Sequence, residues 1–488
     1  MVMKINQMKQ IGYITLVFLL AVGGCKMTKP YQEPELNVPS KYYGYEKEYL
    51  KDTTSIAQMP WTEFFSDSIL ISLVDTALQN NIDLQIADLY VEIGQARLKQ
   101  SKANYFPSVG FTPFKYRRDY YSENYNNWGS NRARRNHGEG NIPSSFYTER
   151  LDYESSIDLS WELDIWGKMS AQKRAALNNY MKTQEFQKAV KTSLVSEIAS
   201  TYFYLAYLRS QIDVYNDNLV LLDNTLRIVE LQYEAGEVTS LAVKQTTSQK
   251  LRAQTLIPQL EREFIRQENK LNRLIGRHAQ TIELNNLSLP MVDEDHVVGL
   301  PIELLSNRPD VAASEYQLKE SYERAGIANA MRYPSVKLGA SLGLNTFQLE
   351  KLLNPAGSGF LLLNGLVYQP IFQQRKLKTN YEIALKEKEI AELKFRDKFI
   401  QATNEVSNAL MAIDKMKEEL SLAQERVEAA QRAVKDANML FRSGLANYLE
   451  VITAQREALD SELNLVAAKM RLLGADVELY RSLGGGWR

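Results

Sequence analysis

Three histidines, one cysteine and one short acidic run are the residues of this 488-residue chain best suited to chemistry. The histidines stand at His137, His278 and His296, and no two share the close spacing of a zinc-binding helix. His296 closes the run Asp293-Glu294-Asp295-His296. Neighbouring loop residues rarely converge on one ion without ligands from elsewhere, so the run reads as a solvated linker and not a metal site. No nucleophile elbow and no phosphate-binding loop occurs. A single cysteine forms no internal disulfide. The residues therefore point to a non-enzyme with no metal and no cofactor.

The chemistry that fits Cys25 is acylation. Lys4 and Lys9 make a basic start, Ile11 to Val22 an apolar run, and Gly23 and Gly24 a small-residue exit. This reads as a signal peptide over 1–24. Val22-Gly23-Gly24-Cys25 resembles a bacterial lipoprotein box, in which the cysteine takes lipid, palmitate included, and becomes the first mature residue. Lys26 follows, so the best-known inner-membrane retention signal, Asp, is absent. Thiol catalysis is excluded with it. No later stretch is long and apolar enough for a membrane helix, so any further insertion must use β-strands. Lys and Arg total 58 against 59 Asp and Glu, a net charge of −1, which offers nothing to a nucleic acid.

Such strands are present. In residues 151–165, Leu151, Tyr153, Ile157, Leu159, Trp161, Leu163 and Ile165 alternate with Asp152, Glu154, Ser156, Asp158, Ser160, Glu162 and Asp164. A period of two gives one apolar and one wet face. Fifteen residues reach roughly 50 Å, beyond what a tilted membrane strand needs. Ser335 to Thr346 repeats the pattern, and Ser108 to Tyr116 and Phe360 to Phe372 are weaker partners. Strands are thus predicted at about 107–117, 150–166, 334–346 and 359–372. Polar loops at about 118–149 and 347–358 join the pairs. Arg132, Arg134, Arg135 and His137 in the first read as a solvated cluster, with a lipopolysaccharide contact as the sharper alternative.

Long helices flank the strands. Ile198, Leu205, Ile212, Leu219, Leu226 and Tyr233 recur every seven residues, as do Val406, Ile413, Leu420, Val427, Val434 and Phe441. The offset between the two series is 208 positions throughout, from 198 to 406 and from 233 to 441. Each stops three residues before a glycine, Gly236 or Gly444. A seven-residue apolar period makes helices supercoil against neighbours. Lys168 to Tyr233 and Lys376 to Phe441 hold neither proline nor glycine and reach roughly 100 Å each. The second return helix carries two adjoining apolar rows, Ile452 to Tyr480 and Val451 to Leu479, and so can touch two neighbours. Pro258 bends the first return helix. Each copy reads as helix, proline, strand, loop, strand, long helix, glycine turn, long helix. The domains follow: signal peptide 1–24, lipidated segment 25–65, first repeat 66–282, linker 283–310 and second repeat 311–488.

Several stretches are similar to the TolC-like outer-membrane efflux family, and to its channel lipoproteins of RND-type tripartite pumps (OprM/NodT-like). They are Trp161-Glu162-Leu163-Asp164-Ile165-Trp166-Gly167-Lys168, Asn307-Arg308-Pro309-Asp310-Val311, Gln232-Tyr233-Glu234-Ala235-Gly236, Leu440-Phe441-Arg442-Ser443-Gly444 and Trp61-Thr62-Glu63-Phe64-Phe65. The resemblance implies a mainly helical fold with a membrane β-barrel part: a homotrimer with one shared β-barrel and one helical barrel across the periplasm. It implies passive conduction, with an inner-membrane RND pump and a periplasmic adaptor as partners, in a lipid-anchored outer-membrane protein. Gly236, Glu237, Arg442 and Gly444 then become adaptor-contact tips, and Phe441, Glu450 and Thr453 the periplasmic aperture. Phe441 stands where the family often has a gate tyrosine. Thr453 stands where the best-known relative has a second acid, leaving Glu450 as one carboxylate per subunit. A type I protein-secretion duct shares the fold; a periplasmic adaptor or a structural lipoprotein scaffold are alternatives of other kinds. Two hairpins and four strand candidates disfavour the adaptor.

Overall fold

The computed structural model describes residues 31, 34–36, 38–43, 56–122, 147–285 and 300–488. The signal segment, Cys25, the cluster at Arg132, Arg134, Arg135 and His137, and the acidic run ending at His296 lie outside the described residues. The elements in order are helices α1 (Ser68–Asn80) and α2 (Ile82–Ala103), strands β1 (Ser108–Ser122) and β2 (Tyr147–Glu162), and helices α3 (Lys168–Glu234) and α4 (Ser240–Leu274). Helix α5 (Pro309–Ala330), strands β3 (Ser335–Thr346) and β4 (Gly359–Tyr368), and helices α6 (Lys376–Arg442) and α7 (Tyr448–Ser482) repeat the sequence of elements. Among the described residues no helix is long and apolar enough to cross a membrane. The chain divides into two compact units.

One unit comprises residues 1–32, 96–177 and 319–389 and holds the strands. They form one antiparallel sheet in the order β1-β2-β3-β4. Pro107 and Pro334 stand immediately before β1 and β3, where a ring without an N–H ends the helical run and favours extended chain. The register aligns Phe111 with Ile157, Ile157 with Leu342, and Leu342 with Leu361. One face is therefore apolar and largely exposed, through Val109, Phe111, Ile157, Leu342, Leu361, Leu363 and Val367. The other carries Lys115 against Glu154 at 3.1 Å and Asp158 accepting from Ser341 Oγ at 2.6 Å.

The strand ends depart from expectation. β1 runs to Ser122 and β2 starts at Tyr147, so the first pair is longer than its apolar alternation. β2 ends at Glu162 although the alternation continues to Ile165. The reason is Asp164, whose carboxylate accepts from Met169 N and Ser170 N and so turns the chain into α3. β4 ends at Tyr368, two residues before Pro370, and not at Phe372. β4 is also apolar on both faces: Phe360, Leu362 and Leu366 pair with Gly343, Ser341 and Lys337 of the wet side.

The two strand-to-helix turns show what the duplication changed. Gly167 precedes α3 with φ +75°, and the residue 208 positions on is Arg375, with φ +65° before α6. Gln374 beside it has φ +49°. A side chain in this left-handed region costs about 1–2 kcal/mol, which glycine avoids. Against that, Arg375 reaches Glu382 at 3.2 Å in an exposed pair, worth at most about 1 kcal/mol. Arg375→Gly is thus expected to raise stability by about 0.5 kcal/mol. Thermal unfolding checks it, and a lowered midpoint would show that the ion pair outweighs the strain.

The second unit comprises residues 33–95, 178–318 and 390–488 and holds the helices. Ile198, Leu205 and Ile212 of α3 are buried, as the seven-residue row requires. Nearer the tip the buried row moves to Leu222, Thr225 and Val229, and Tyr233 stands 48% exposed. A straight helix drifts against a strict seven-residue repeat, so one row cannot stay in the seam over this length. In α6 the row holds better, with Val406, Ile413, Val427 and Phe441 all buried. Pro258 lies inside α4, which continues unbroken around it.

Asp476 of α7 is only 6% exposed and its Oδ1 has no hydrogen-bond partner. Burial raises its pKa to about 7, with Lys417 opposing. An acid raised on folding weakens the fold when ionised: the penalty is full above the folded value and is relieved as pH falls toward its unfolded value. Asp476→Asn should unfold at a higher temperature than the parent at pH 8, with the difference vanishing near pH 4. A constant difference between those pH values would contradict this.

Candidate functional site

The hairpin tips gather the residues singled out above. At the first, Glu237 N donates to Gln232 O at 2.8 Å and Gly236 N to Tyr233 O at 3.0 Å. At the second, Leu445 N donates to Leu440 O at 2.9 Å and Gly444 N to Phe441 O at 3.1 Å. Both are Schellman turns, which need a left-handed residue, and the glycines supply φ of +79° and +70°. Neither glycine has a neighbour that a Cβ would strike, so the backbone angle and not crowding requires them. Glu237, Arg442 and Leu445 project from the tips, exposed.

The entries to the return helices differ. Asn447 caps α7, its Oδ1 accepting from Leu449 N at 2.9 Å and Glu450 N at 3.1 Å, while Thr239 makes no side-chain cap on α4. Glu450 is exposed in the first turn of α7, where a carboxylate complements the helix dipole, and it accepts from Asn447 Nδ2 at 2.9 Å. Thr453 is exposed and its hydroxyl bonds back to Leu449 O at 2.7 Å. Ala242, the counterpart of Glu450 in the first copy, is instead fully buried.

Phe441 does not share the open surface of Glu450 and Thr453. It is 5% exposed, in a cluster with Val229, Ala242 and Val451, flanked by Val238, Ala437 and Tyr448. The cluster draws on both hairpins. Tyr448 Oη adds a bond to Gln245 Oε1 at 2.8 Å, and Gln455 Nε2 donates to Thr225 Oγ1 at 2.8 Å. Asn447 was not read as a cap, although an asparagine ahead of an apolar run is the signal that would have found it. The Tyr448 and Gln455 links carried no such signal, because each joins residues about two hundred positions apart. Among the described residues no group of His, Cys, Asp or Glu is arranged to hold a metal ion.

Comparison with known proteins agrees with this architecture. The chain is 28% identical over 480 residues to the solvent efflux pump outer membrane protein SrpC of Pseudomonas putida, covering 96% of this chain and 97% of that one. It is 26% identical over 477 residues to the cation efflux system protein CusC of Escherichia coli O6:H1, covering 96% and 97%. A solved membrane protein from Pseudomonas aeruginosa has the same fold, with a TM-score of 0.84 at 24% identity over 95% of this chain and 98% of that one. Residues 73–277 and 300–485 match the family model of outer membrane efflux proteins, and the chain belongs to the outer membrane efflux protein family.

Proposed function

We propose that this chain is the exit duct of a tripartite efflux pump, passively conducting small molecules from a periplasmic pump–adaptor complex across the outer membrane. One observation carries the reading: a single chain joins a sheet with one apolar face and two free edges to a pair of glycine-tipped helical hairpins. Four strands are too few to close a barrel around a passage, so copies must supply the rest. Family likeness supports three copies, with a periplasmic adaptor at the tips around Gly236, Glu237, Arg442 and Gly444 and an inner-membrane RND pump behind it. Cys25 takes the lipid, which the mass of the mature N-terminal peptide tests. Residues 66–282 and 311–488 act as the two repeats.

In this reading Glu450 and Thr453 line the aperture, while Phe441 works from behind it by holding the hairpins together. Relatives named for solvent export and for cation export match this chain at 28% and 26% identity, as expected if the pump selects the cargo. Planar-bilayer conductance of the purified protein tests the duct: discrete channels are expected, and a scaffold or an adaptor would give none. Glu450→Gln should lower cation preference by a factor of about five, corresponding to ~1 kcal/mol for an exposed charge. Unchanged reversal potentials would remove Glu450 from the aperture.

A further inference from the structure

The wet face of the sheet is polar on three strands and apolar on the fourth. Across that face the row Gly110, Asp158 and Ser341 leads to Leu362 on β4, and the row Glu162 and Lys337 leads to Leu366. Phe360 stands opposite Gly343. Leu362 is 52% exposed and Leu366 57%, so both stand half in the open. Asn364, between them, lies over Gly339, in the space a side chain there would take, and the two leucines stand clear on either side. At about 3.3 Å per residue, Phe360 to Leu366 makes an apolar line of roughly 20 Å.

The sheet's own needs do not explain this line. Cross-strand packing does not, because Gly343, Ser341 and Lys337 offer little apolar surface opposite it. Strand preference does not call for the leucines, since strands favour β-branched and aromatic residues. Contact with lipid falls to the opposite face, where Leu361, Leu363 and Val367 stand. A neighbouring copy would join the β4 edge through main-chain hydrogen bonds in the plane of the sheet and cover neither face. A barrel wider than about eight strands keeps an open interior, so side chains of the far wall do not reach the line either. The line also continues toward the helices. Tyr368, the next residue of β4 on the wet face, lines a cleft of about 230 Å³ with Trp166 and Tyr333, whose rings lie 5.2 Å apart.

We propose that Phe360, Leu362 and Leu366 form an apolar track on the lumen wall, and that its occupant is a small organic molecule with an apolar body. The proposal rests on the exit-duct reading and names the class of cargo the duct favours. A solute that lays its apolar surface on the track removes both surfaces from water, and the gain grows with the area covered. A hydrophilic ion of equal charge gains nothing there. Leu362 and Leu366 thus make the wall selective for apolar surface, although the rest of its wet face is polar.

Single-channel currents through the purified full-length protein in planar bilayers test this. Tetramethyl-, tetraethyl- and tetrabutylammonium serve as blockers of equal charge and growing apolar surface. Block should strengthen along the series. Leu362→Ser together with Leu366→Ser should weaken block by tetrabutylammonium about tenfold, which is about 1.4 kcal/mol, and leave tetramethylammonium unaffected. A larger ion also blocks by its size, and that part survives both serines. Asn364 shows that this face takes a polar side chain. Should the double variant fail to insert, Leu366→Ser alone should give about a threefold loss. Block unaltered by the serines, which is also the result if a segment of the chain already covers the leucines, would overturn the track and leave the duct standing. Equal weakening for all three ions would do the same. Absence of discrete channels from the parent would overturn the duct and the track with it.

Discussion

Phe441→Ala is expected to weaken the join between the two hairpin tips by about 3–5 kcal/mol, the usual cost of deleting a buried aromatic side chain. The ring sits at 5% exposure against Val229, Ala242 and Val451, and two of those three belong to the first hairpin. Two hydrogen bonds remain across the joint, Tyr448 to Gln245 and Gln455 to Thr225, and each contributes only about 1 kcal/mol. The ring therefore outweighs those two bonds together. Hydrogen exchange should show the effect locally, with the amides of Val229 and Val451 losing protection while those around Leu205 keep theirs. In the proposed duct the same substitution should raise resting conductance several-fold, because a loosened tip no longer holds the aperture residues in place. Phe441→Leu keeps most of the apolar contact and should recover most of both properties. A Phe441→Ala protein with unchanged exchange at Val229 would show that the cluster does not tie the hairpins.

That role for Phe441 marks the limit of what periodicity can say. The strands were legible because a period of two with polar and apolar faces has one structural meaning, and Ser335–Thr346 came out as read. β4 was harder to bound: Phe360 to Val367 is apolar on both faces, so alternation fades just where Pro370 sets the end. The tips were legible because a Schellman turn needs a left-handed residue, and glycine supplies it at 236 and 444. Tyr233 and Phe441, by contrast, occupy the same place in two copies of one repeat, yet one is exposed and the other buried. What separates them is the packing of one hairpin on the other, a contact between distant positions. The hydrogen bond between Gln455 and Thr225 depends in the same way on distant positions, and the seam shift from Leu219 to Leu222 depends on what α3 meets along its length.

Arg308→Ala should cost about 2–3 kcal/mol, because it removes a buried guanidinium that is charge-bonded to two carboxylates, themselves 29% and 21% exposed. Arg308 was recognisable as part of a signature stretch, but its partners were not. The guanidinium is 3% exposed. It donates to Asp310 Oδ1 at 3.0 Å and Oδ2 at 2.7 Å, to Glu405 Oε2 at 2.7 Å and to the Ser482 carbonyl at 3.1 Å. One residue thus ties the start of α5 to the middle of α6 and the end of α7. Alanine leaves Asp310 with Lys398 at 2.9 Å, Glu405 with Arg481 at 3.7 Å, and the Ser482 carbonyl without this donor. Burial alone pushes the Asp310 carboxyl up, but the hydrogen bonds and charge of Arg308, joined by Lys398, outweigh it and hold the acid well below the usual carboxylate range. An acid depressed on folding stabilises the fold fully above its unfolded value of about 3.9, and that share is lost as pH falls through the folded value. The deficit of Arg308→Ala against the parent should therefore be greatest near pH 7 and shrink below about pH 4. Arg308→Lys keeps the charge but cannot bind Asp310 through two parallel bonds while reaching Glu405 and Ser482, so it should recover only part of the loss. Denaturant unfolding of the full chain at the two pH values decides it. A deficit independent of pH would mean that the guanidinium acts by filling space, and full recovery by lysine would mean that charge without geometry is enough.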